Sequence, residues 1–286
     1  MEQVWNTTTS ELLQTNRGND YFNLFPSAKI KRTHGDASTS ALSYGRRINR
    51  PGLGQLNPFI DITDSLNQYG GNPALVPELV DAIELAHDRS VRKGDLGLRA
   101  FYRRARNSIQ TFTVLDSNGV AFSRPENFGA MHTAGGELLL AFPVTRFCNV
   151  NLSASLYQQW LDDPLLENEL LAWYGKAIVA IVPWKSAKLQ VAANYTAPVL
   201  LPQGKVEAVY FVDAGFTQSF ANGRGRIGIT GQDLFRTMVT RRQLSSEDFT
   251  FTRSFRVDSR AVLFSLGWTF GGEFKEQVME NRFKND

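Results

Sequence analysis

The sequence has 286 residues, of which 42% are hydrophobic and 21% charged, and this composition excludes a chain that is disordered over most of its length. The longest apolar run, AIVAIVPW at 177–184, is shorter than the roughly 18 residues of a spanning helix, so a helical membrane protein is excluded. The net charge is only +3 with both signs interspersed, which indicates no nucleic-acid patch. The single cysteine, Cys148, allows no intrachain disulfide.

Apolar and polar residues alternate with a period of two through most of the sequence, which predicts β-strands with two different faces. The last run is the clearest: one face carries Val262, Phe264, Leu266, Trp268 and Phe270, and the other carries Leu263, Ser265, Gly267 and Thr269. The pattern predicts strands at 22–33, 37–48, 79–91, 95–113, 131–144, 149–160, 170–182, 187–200, 206–221, 225–235 and 256–270. Residues 2–9 are expected to be the remnant of one more strand.

The connections between these runs alternate in length. Short turns are predicted at HGD (34–36), RKGD (92–95), TRFCN (145–149), PWKS (183–186) and ANGRG (221–225). Longer polar loops are predicted at 49–79, 114–130, 161–169, 201–206 and 236–255. Such an all-β antiparallel meander, with short turns at one end and long loops at the other, is typical of outer-membrane barrels.

A soluble β-sandwich would also contain many alternating strands. Two features favour the barrel. Several predicted strands are much longer than the typical five or six residues. Aromatic residues also lie near strand ends, where a membrane interface would place a girdle: Trp160, Trp173, Trp184, Tyr195 and Trp268.

No catalytic, cofactor-binding or metal-binding residues are predicted, so the chain is not expected to be an enzyme. The Gly-rich segments GQD (231–233) and TAGGE (133–137) lack the spacing of a phosphate-binding loop. In a strand, Glu84 and Asp88 share a face and His87 points the other way, which argues against a metal site. The acidic run of Asp162, Asp163, Glu167 and Glu169 is a candidate for Ca²⁺ but is expected to be simply solvated.

Several turn and loop motifs occur in a fixed order along about 250 residues: NLFPS (23–27), YGRRINRP (44–51), LNPF (56–59), GNPALVPE (71–78), RPENFG (124–129) and SRAVLFSLGWTFGG (259–272). In this combination and order they resemble the outer-membrane β-barrel family of TonB-dependent receptors of Bacteroidota. The prolines and glycines are expected to shape the loops. For Arg46, Arg47 and Arg50, lining the outer mouth and contacting neighbouring loops remain alternatives.

The resemblance implies more than the alternation shows. Receptors of this kind carry an N-terminal plug inside a barrel of about 22 strands. They bind a ligand at the outer face and import it with energy delivered through TonB. The chain is therefore expected to be the C-terminal half of such a barrel in the cell outer membrane, with about 11–12 of its strands at residues 1–272 and a charged tail at 273–286. It is expected to be part of a longer gene, with the TonB complex reached through the missing plug.

Two other functions are compatible with the alternation alone. The first is a small stand-alone pore of about twelve strands, which would need no TonB. The second is a secreted β-sandwich that binds a ligand or partner, which predicts short strands and a two-sheet core. The sequence does not identify the transported ligand or the loop residues that contact it.

Overall fold

The computed structural model describes residues 2–10, 15–164, 168–245 and 249–271. Residue 272 and the predicted tail at 273–286 lie outside them. No helix in these residues is long and apolar enough to cross a membrane. The elements, in chain order, are β1 (Glu2–Ser10), β2 (Thr15–Asn23), β3 (Ser27–His34), β4 (Ser38–Asn49), α1 (Leu53–Leu56), β5 (Ile60–Asp61), β6 (Asn67–Gly70), β7 (Glu78–Val91), β8 (Gly94–Leu115), β9 (Ala121–Thr145), β10 (Cys148–Asp162), β11 (Asn168–Ile181), β12 (Ala187–Thr196), β13 (Val199–Leu201), β14 (Gly204–Val206), β15 (Val209–Phe220), a 3₁₀ turn (Ala221–Gly223), β16 (Gly225–Gln232), β17 (Thr240–Ser245), β18 (Thr250–Phe255) and β19 (Ala261–Trp268).

One large sheet follows the chain in sequence order, which confirms the predicted all-β antiparallel meander. Its strands are hydrogen-bonded in the order β3, β4, β7, β8, β9, β10, β11, β12, β15, β16 and β19. Each predicted strand span overlaps one of them. The short strand β6 adds a parallel pairing to β9 within the described chain, where Asn67 lies opposite Ala121. The figure of 22 strands for a complete barrel stays a prediction.

The beginning of the chain differs from the prediction. The expected strand at 22–33 is split, because β2 ends at Asn23 and β3 begins only at Ser27. Pro26 lies in the gap and has no N–H to donate to a sheet. The expected extra strand at 2–9 does form, as β1. It pairs with β2 in a sheet of its own, so it does not extend the large sheet.

The short turns lie where the sequence places them, and backbone conformation explains their residues. Gly35 connects β3 to β4 with a φ of +60°, and Asn222 connects β15 to β16 with a φ of +55°. Gly and Asn adopt this left-handed conformation at the lowest cost. Between β7 and β8 only two residues intervene, Arg92 and Lys93, and Arg92 takes the positive φ.

Four predicted loops are wrong in detail because they contain strands, and the first of them, 49–79, contains β5 and β6. Most of 114–130 belongs to β8 and β9, which continue their pairing through Pro125, opposite Thr111. Only residues 116–120 form a turn, in which the backbone N–H groups of Asn118 and Val120 each donate to Asp116 Oδ1 at 2.8 Å. The loops at 201–206 and 236–255 contribute strands to a separate sheet in the order β13, β14, β17 and β18.

The register of the large sheet produces one continuous apolar face. Val150, Val179 and Val191 lie directly opposite one another on successive strands, and the next row outward contains Leu140, Leu152, Ala177, Ala193 and Val212. On the other face the paired positions are polar, such as Ser155 opposite Glu137 and Lys176 opposite Asn194. This is the division between lipid and lumen that a membrane barrel requires.

Aromatic side chains border the apolar face at both ends. The end with long loops carries Tyr44, Tyr102, Trp173, Tyr195 and Tyr210, and the end with short turns carries Phe147, Trp184, Phe220, Trp268 and Phe270. Trp173 stacks on Tyr195 at 3.9 Å between ring centroids. Tyr210 and Phe220 begin and end the apolar part of β15. At a strand tilt of about 45° their separation spans about 24 Å of membrane, which matches the lipid-facing band of outer-membrane barrels.

We predict that an arginine is tolerated on one face of β10 and rejected on the other. Ala154 lies on the apolar face near the middle of β10, opposite Leu138, so Ala154→Arg should cost about 2–4 kcal/mol of unfolding free energy. Ser155 lies on the polar face opposite Glu137, so Ser155→Arg should cost much less. Denaturant titration in lipid vesicles of a closed barrel containing these strands measures both. Equal costs at the two positions would contradict the face assignment.

Candidate functional site

The two ends of the large sheet differ in structure, which assigns them to the two sides of the membrane. One end has only the short turns. The other carries the segments 50–77, 197–208 and 233–260, which contain the additional short strands. Outer-membrane barrels have short periplasmic turns and long external loops. The end with the long segments is therefore the outer mouth of the barrel.

The four-stranded sheet β13–β14–β17–β18, here named the loop sheet, packs on the lumen side of the barrel wall. Its buried Leu200 contacts Met131 on β9 and Leu161 on β10. Met131 and Leu161 are neighbours of His132 and Trp160, which lie opposite each other on the apolar, outward face. Because side chains alternate along a strand, Met131 and Leu161 face the lumen. The loop sheet is thus folded inward over the mouth.

The buried side chain of Gln203 also fixes the loop sheet to the long hairpin β8–β9. The Thr113 backbone N–H donates to Gln203 Oε1, and Gln203 Nε2 donates to the Thr113 carbonyl oxygen, both at 2.8 Å. Both residues are buried, so water cannot replace either hydrogen bond. Asn168 adds a second tie, since its Nδ2 donates to the carbonyl oxygen of Leu201 at 2.8 Å.

A buried carboxylate organises the segment between β16 and β19. Asp233 is only 2% exposed and accepts hydrogen bonds from the Ser259 hydroxyl at 2.6 Å and from the Thr237 backbone N–H at 2.8 Å. Burial alone would raise the pKa of this carboxyl. The hydrogen bonds, which include one from the Met238 backbone, outweigh it and hold the pKa below its ordinary value. Asp233 of the GQD segment is therefore an anchor of the external loops.

The segment between β4 and β7 is held by asparagines of the GNPALVPE and RPENFG motifs. Asn127 accepts from the Val76 backbone N–H at 2.8 Å and donates to the Val76 carbonyl oxygen at 2.9 Å. Asn72 Nδ2 donates to the Pro125 carbonyl oxygen at 3.1 Å. A Cβ at Gly71 would collide with the carbonyl oxygen of Asn57, so only glycine fits there. These motif residues thus shape the outer mouth.

A cavity of about 270 Å³ lies between the loop sheet and the wall. Its walls come from β6, β8, β9, β17 and β18, and its lining includes Tyr69, Thr111, Arg242, Leu244, Phe251 and Arg253. Leu244 is buried at its floor, whereas both arginines are exposed. Beside it, hydrogen bonds from the Asn67 side chain and the Leu66 backbone hold the pKa of Asp64 below its ordinary value, and the charge of Arg253 adds to this.

The other candidates from the sequence take part in hydrogen bonds and ion pairs of the wall. His87 Nδ1 and the Ser40 hydroxyl form a hydrogen bond at 3.0 Å, and Arg99 lies 3.3 Å from Asp88. Arg99 also lies 3.9 Å from Glu84, so Glu84 and Asp88 do share a face. Arg46 forms an ion pair with Asp81 at 2.7 Å on the outward face.

In the acidic run, Asp163 accepts from the Gly129 backbone N–H at 2.7 Å, and Glu169 accepts from Gln158 at 3.2 Å. Glu167 lies outside the described residues. Across 2–10, 15–164, 168–245 and 249–271, no three His, Cys, Asp or Glu side chains are grouped closely enough to hold a metal ion. The described residues of the acidic run therefore do not form the geometry of a Ca²⁺ site.

Comparison with known proteins agrees with this geometry. A sequence model of the outer membrane protein beta-barrel family matches residues 1–268. The chain belongs to this family. No curated protein sequence matches it.

The fold of this outer-membrane β-barrel protein is similar to that of several solved receptors and of a transporter. The siderophore receptor PirA from Pseudomonas aeruginosa matches with a TM-score of 0.56 and 15% identity over 88% of this chain and 40% of its own. The ferric yersiniabactin uptake receptor FyuA from Yersinia pestis matches with a TM-score of 0.60 and 12% identity, over 90% and 39%. The copper transporter OprC matches with a TM-score of 0.61 and 11% identity, over 90% and 41%. The chain thus spans about 40% of the length of these proteins.

Sequence reasoning missed the cavity and the residues that build it. Gln203 and Asp233 belong to no motif that predicts a buried anchor. A usable signal exists for Arg253, because TFTRSF is rich in Thr and Phe, which favour strands, and follows a short polar segment, as in a hairpin. The span from 236 to 255 is polar on average, which hides this signal.

We predict that Gln203→Ala frees the loop sheet from the wall. It leaves the buried N–H and C=O of Thr113 without partners, at about 1–3 kcal/mol for each group. Hydrogen exchange should become faster at the amides of β13, β14 and the outer part of β8. The matched control is Lys205→Ala, an exposed position on the same hairpin, which should change little. Unchanged exchange in the Gln203 variant would show that the hydrogen bonds between Gln203 and Thr113 do not hold the loop sheet.

Proposed function

We propose that this chain forms the C-terminal barrel wall and the ligand-receiving loops of a TonB-dependent receptor from a Bacteroidota organism, which imports a scarce nutrient across the outer membrane. Family membership and the outer-membrane receptor fold support this proposal. The structural neighbours named as uptake receptors suggest a ferric siderophore as one ligand class, with glycans and peptides as others. We expect no catalytic activity.

The observation that carries the proposal is the inward-folded loop sheet. A simple pore needs an open mouth, whereas a receptor needs a surface that contacts its ligand before passage. Here Leu200, Gln203 and Asn168 hold the loop sheet against the lumen side of the wall, and the cavity forms underneath it. Concave sites with an apolar floor and a few polar groups are the usual form of small-molecule binding sites.

The open edges of the sheet support a role within a larger barrel. Within the described residues, β3 and β19 end the large sheet and do not pair with each other. In hydrocarbon their unpaired N–H and C=O groups would each cost several kcal/mol. Further strands must therefore cover both edges. We propose that they come from the rest of a longer protein, which also supplies the plug and the contact with TonB.

Import is tested by growth of a strain that lacks the gene containing these residues, with a ferric siderophore, an oligosaccharide or a peptide as the limiting nutrient. We expect a growth defect on one of the three, restored by the intact gene only while TonB is active. A version with residues 239–256 replaced by a Gly–Ser turn should reach the outer membrane but fail to restore growth. Full growth without TonB would refute the proposal.

We predict that residues 1–286 alone do not form stable channels in lipid vesicles, because among the described strands both edges of the large sheet are unpaired. Gel migration should show no heat-modifiable folded band, and planar bilayers should show no discrete conductance steps. A closed outer-membrane barrel of known pore size serves as the positive control. Discrete, long-lived channels from this chain would instead favour the alternative of a small stand-alone pore.

A further inference from the structure

Two arginines face each other across the hairpin β17–β18. Arg242 is directly opposite Arg253, and the next pair along the same face is Leu244 and Phe251. All four side chains line the cavity under the loop sheet. Like charges directly opposite on neighbouring strands destabilise the pairing. The hairpin therefore places two cations side by side at a cost in stability.

Acidic side chains do not neutralise this pair within the described residues. The cavity lining there contains no carboxylate, and neither Arg242 nor Arg253 forms an ion pair or donates a side-chain hydrogen bond. Glu207, which follows β14, lies on the other face, where it pairs with Arg241 at 3.5 Å and accepts from Gln243 at 2.5 Å.

The remaining acid near the cavity is already engaged. Asp64 accepts hydrogen bonds from Asn67 Nδ2 at 2.9 Å and from the Leu66 backbone N–H at 3.1 Å. Arg253 affects Asp64 only through the electric field, since the two are not within ion-pair distance. Across the described part of the chain, the positive charge of the arginine pair is thus available to a group from outside the protein.

The surroundings of the pair indicate the shape of that group. Phe249, Phe251 and Tyr69 supply ring surface, and Leu244 closes the floor. At about 270 Å³ the cavity is slightly smaller than the usual range for whole drug-sized ligands. It fits one flat substituent of a larger molecule, with the guanidinium groups at the rim.

Resting on the proposed receptor function, we propose that Arg242 and Arg253 form an anion-binding subsite for a ligand with a carboxylate or phosphate on an aromatic or similarly flat group. Guanidinium groups bind both oxyanions by paired hydrogen bonds, and arginine also stacks on planar rings. The ligand class is therefore anionic, and the loop sheet is the element that recognises it.

The test compares four probes that share one ring and differ in charge: phenyl phosphate, benzoate, benzyl alcohol and benzylamine. Equilibrium dialysis is carried out with outer membranes from cells that produce the full protein, against membranes from the gene-deletion strain. We expect phenyl phosphate and benzoate to bind at least tenfold more tightly than benzyl alcohol, and benzylamine not to bind. Equal binding of the charged and neutral rings would overturn the proposal.

Three substitutions locate the effect. Arg242→Gln and Arg253→Gln should each weaken anion binding about tenfold. Arg253→Glu should abolish it, because the new carboxylate pairs with Arg242 across the strands. The matched control is Arg241→Gln, the neighbouring arginine on the opposite face, which should leave anion binding unchanged. If Arg241→Gln weakened anion binding as strongly as Arg242→Gln and Arg253→Gln do, the assignment would be overturned.

Hydrogen exchange separates loss of a binding group from loss of the fold. Arg253→Glu should slow amide exchange in β17 and β18 while anion binding disappears, an outcome that unfolding does not produce. A measurement on the wild-type protein tests the subsite as well. Raising the NaCl concentration should weaken the binding of benzoate but not that of benzyl alcohol. Anion binding that is insensitive to salt would count against the arginine pair.

The outcomes also distinguish the subsite from the receptor function. TonB-dependent growth without charge-selective binding would refute the subsite and leave the proposed function standing. Charge-selective binding without TonB-dependent growth would refute the proposed function and leave the subsite standing.

Discussion

Every backbone N–H and C=O group within the hydrocarbon layer must find a partner in the protein, because lipid offers none. Between β3 and β19 that requirement is met by antiparallel pairing of each strand with its neighbours, and within the described residues only the outer edges of β3 and β19 lack it. The pairing fixes the register, and the register in turn aligns Leu140, Leu152 and Ala177 on one face. A slip by one residue on any strand would exchange its lipid and lumen faces. The backbone pairing therefore also determines which face of the sheet is apolar.

The same pairing builds the outer mouth. Because β8 and β9 continue to pair past the membrane as far as Leu115 and Ala121, they present ordered backbone to the loops above it. The buried Thr113 in this extension is the group that Gln203 binds. Loops attached to so long a hairpin need few contacts of their own to be placed. This explains how strands of only three residues, β13 and β14, stay ordered over the lumen.

The sequence predicts what depends on local pattern. Alternation from Val262 to Phe270 identifies β19 and its lipid face, and turn residues such as Gly35 mark the short connections. Prediction fails where structure depends on contacts between distant segments. Pro125 favours a loop locally, yet pairing with Thr111 keeps it in β9. The strands β13 and β14 are too short to show a period, and Gln203 is buried only because Thr113, 90 positions away, meets it.

The arginine pair, proposed as an anion subsite, depends on contacts of the same kind. Isolated, the hairpin β17–β18 would be weakened by Arg242 facing Arg253. The stability that it lacks comes from elsewhere: Arg242 lies opposite Val206 of β14, whose strand is tied to the wall through Leu200 and Gln203. A repulsive pair persists in a fold only where neighbouring contacts outweigh it, and function is the usual reason for it. Binding of an anion would remove the repulsion, so occupancy and order of the hairpin are thermodynamically linked. In the proposed subsite, the loop that recognises the ligand is then also the loop that the ligand makes rigid.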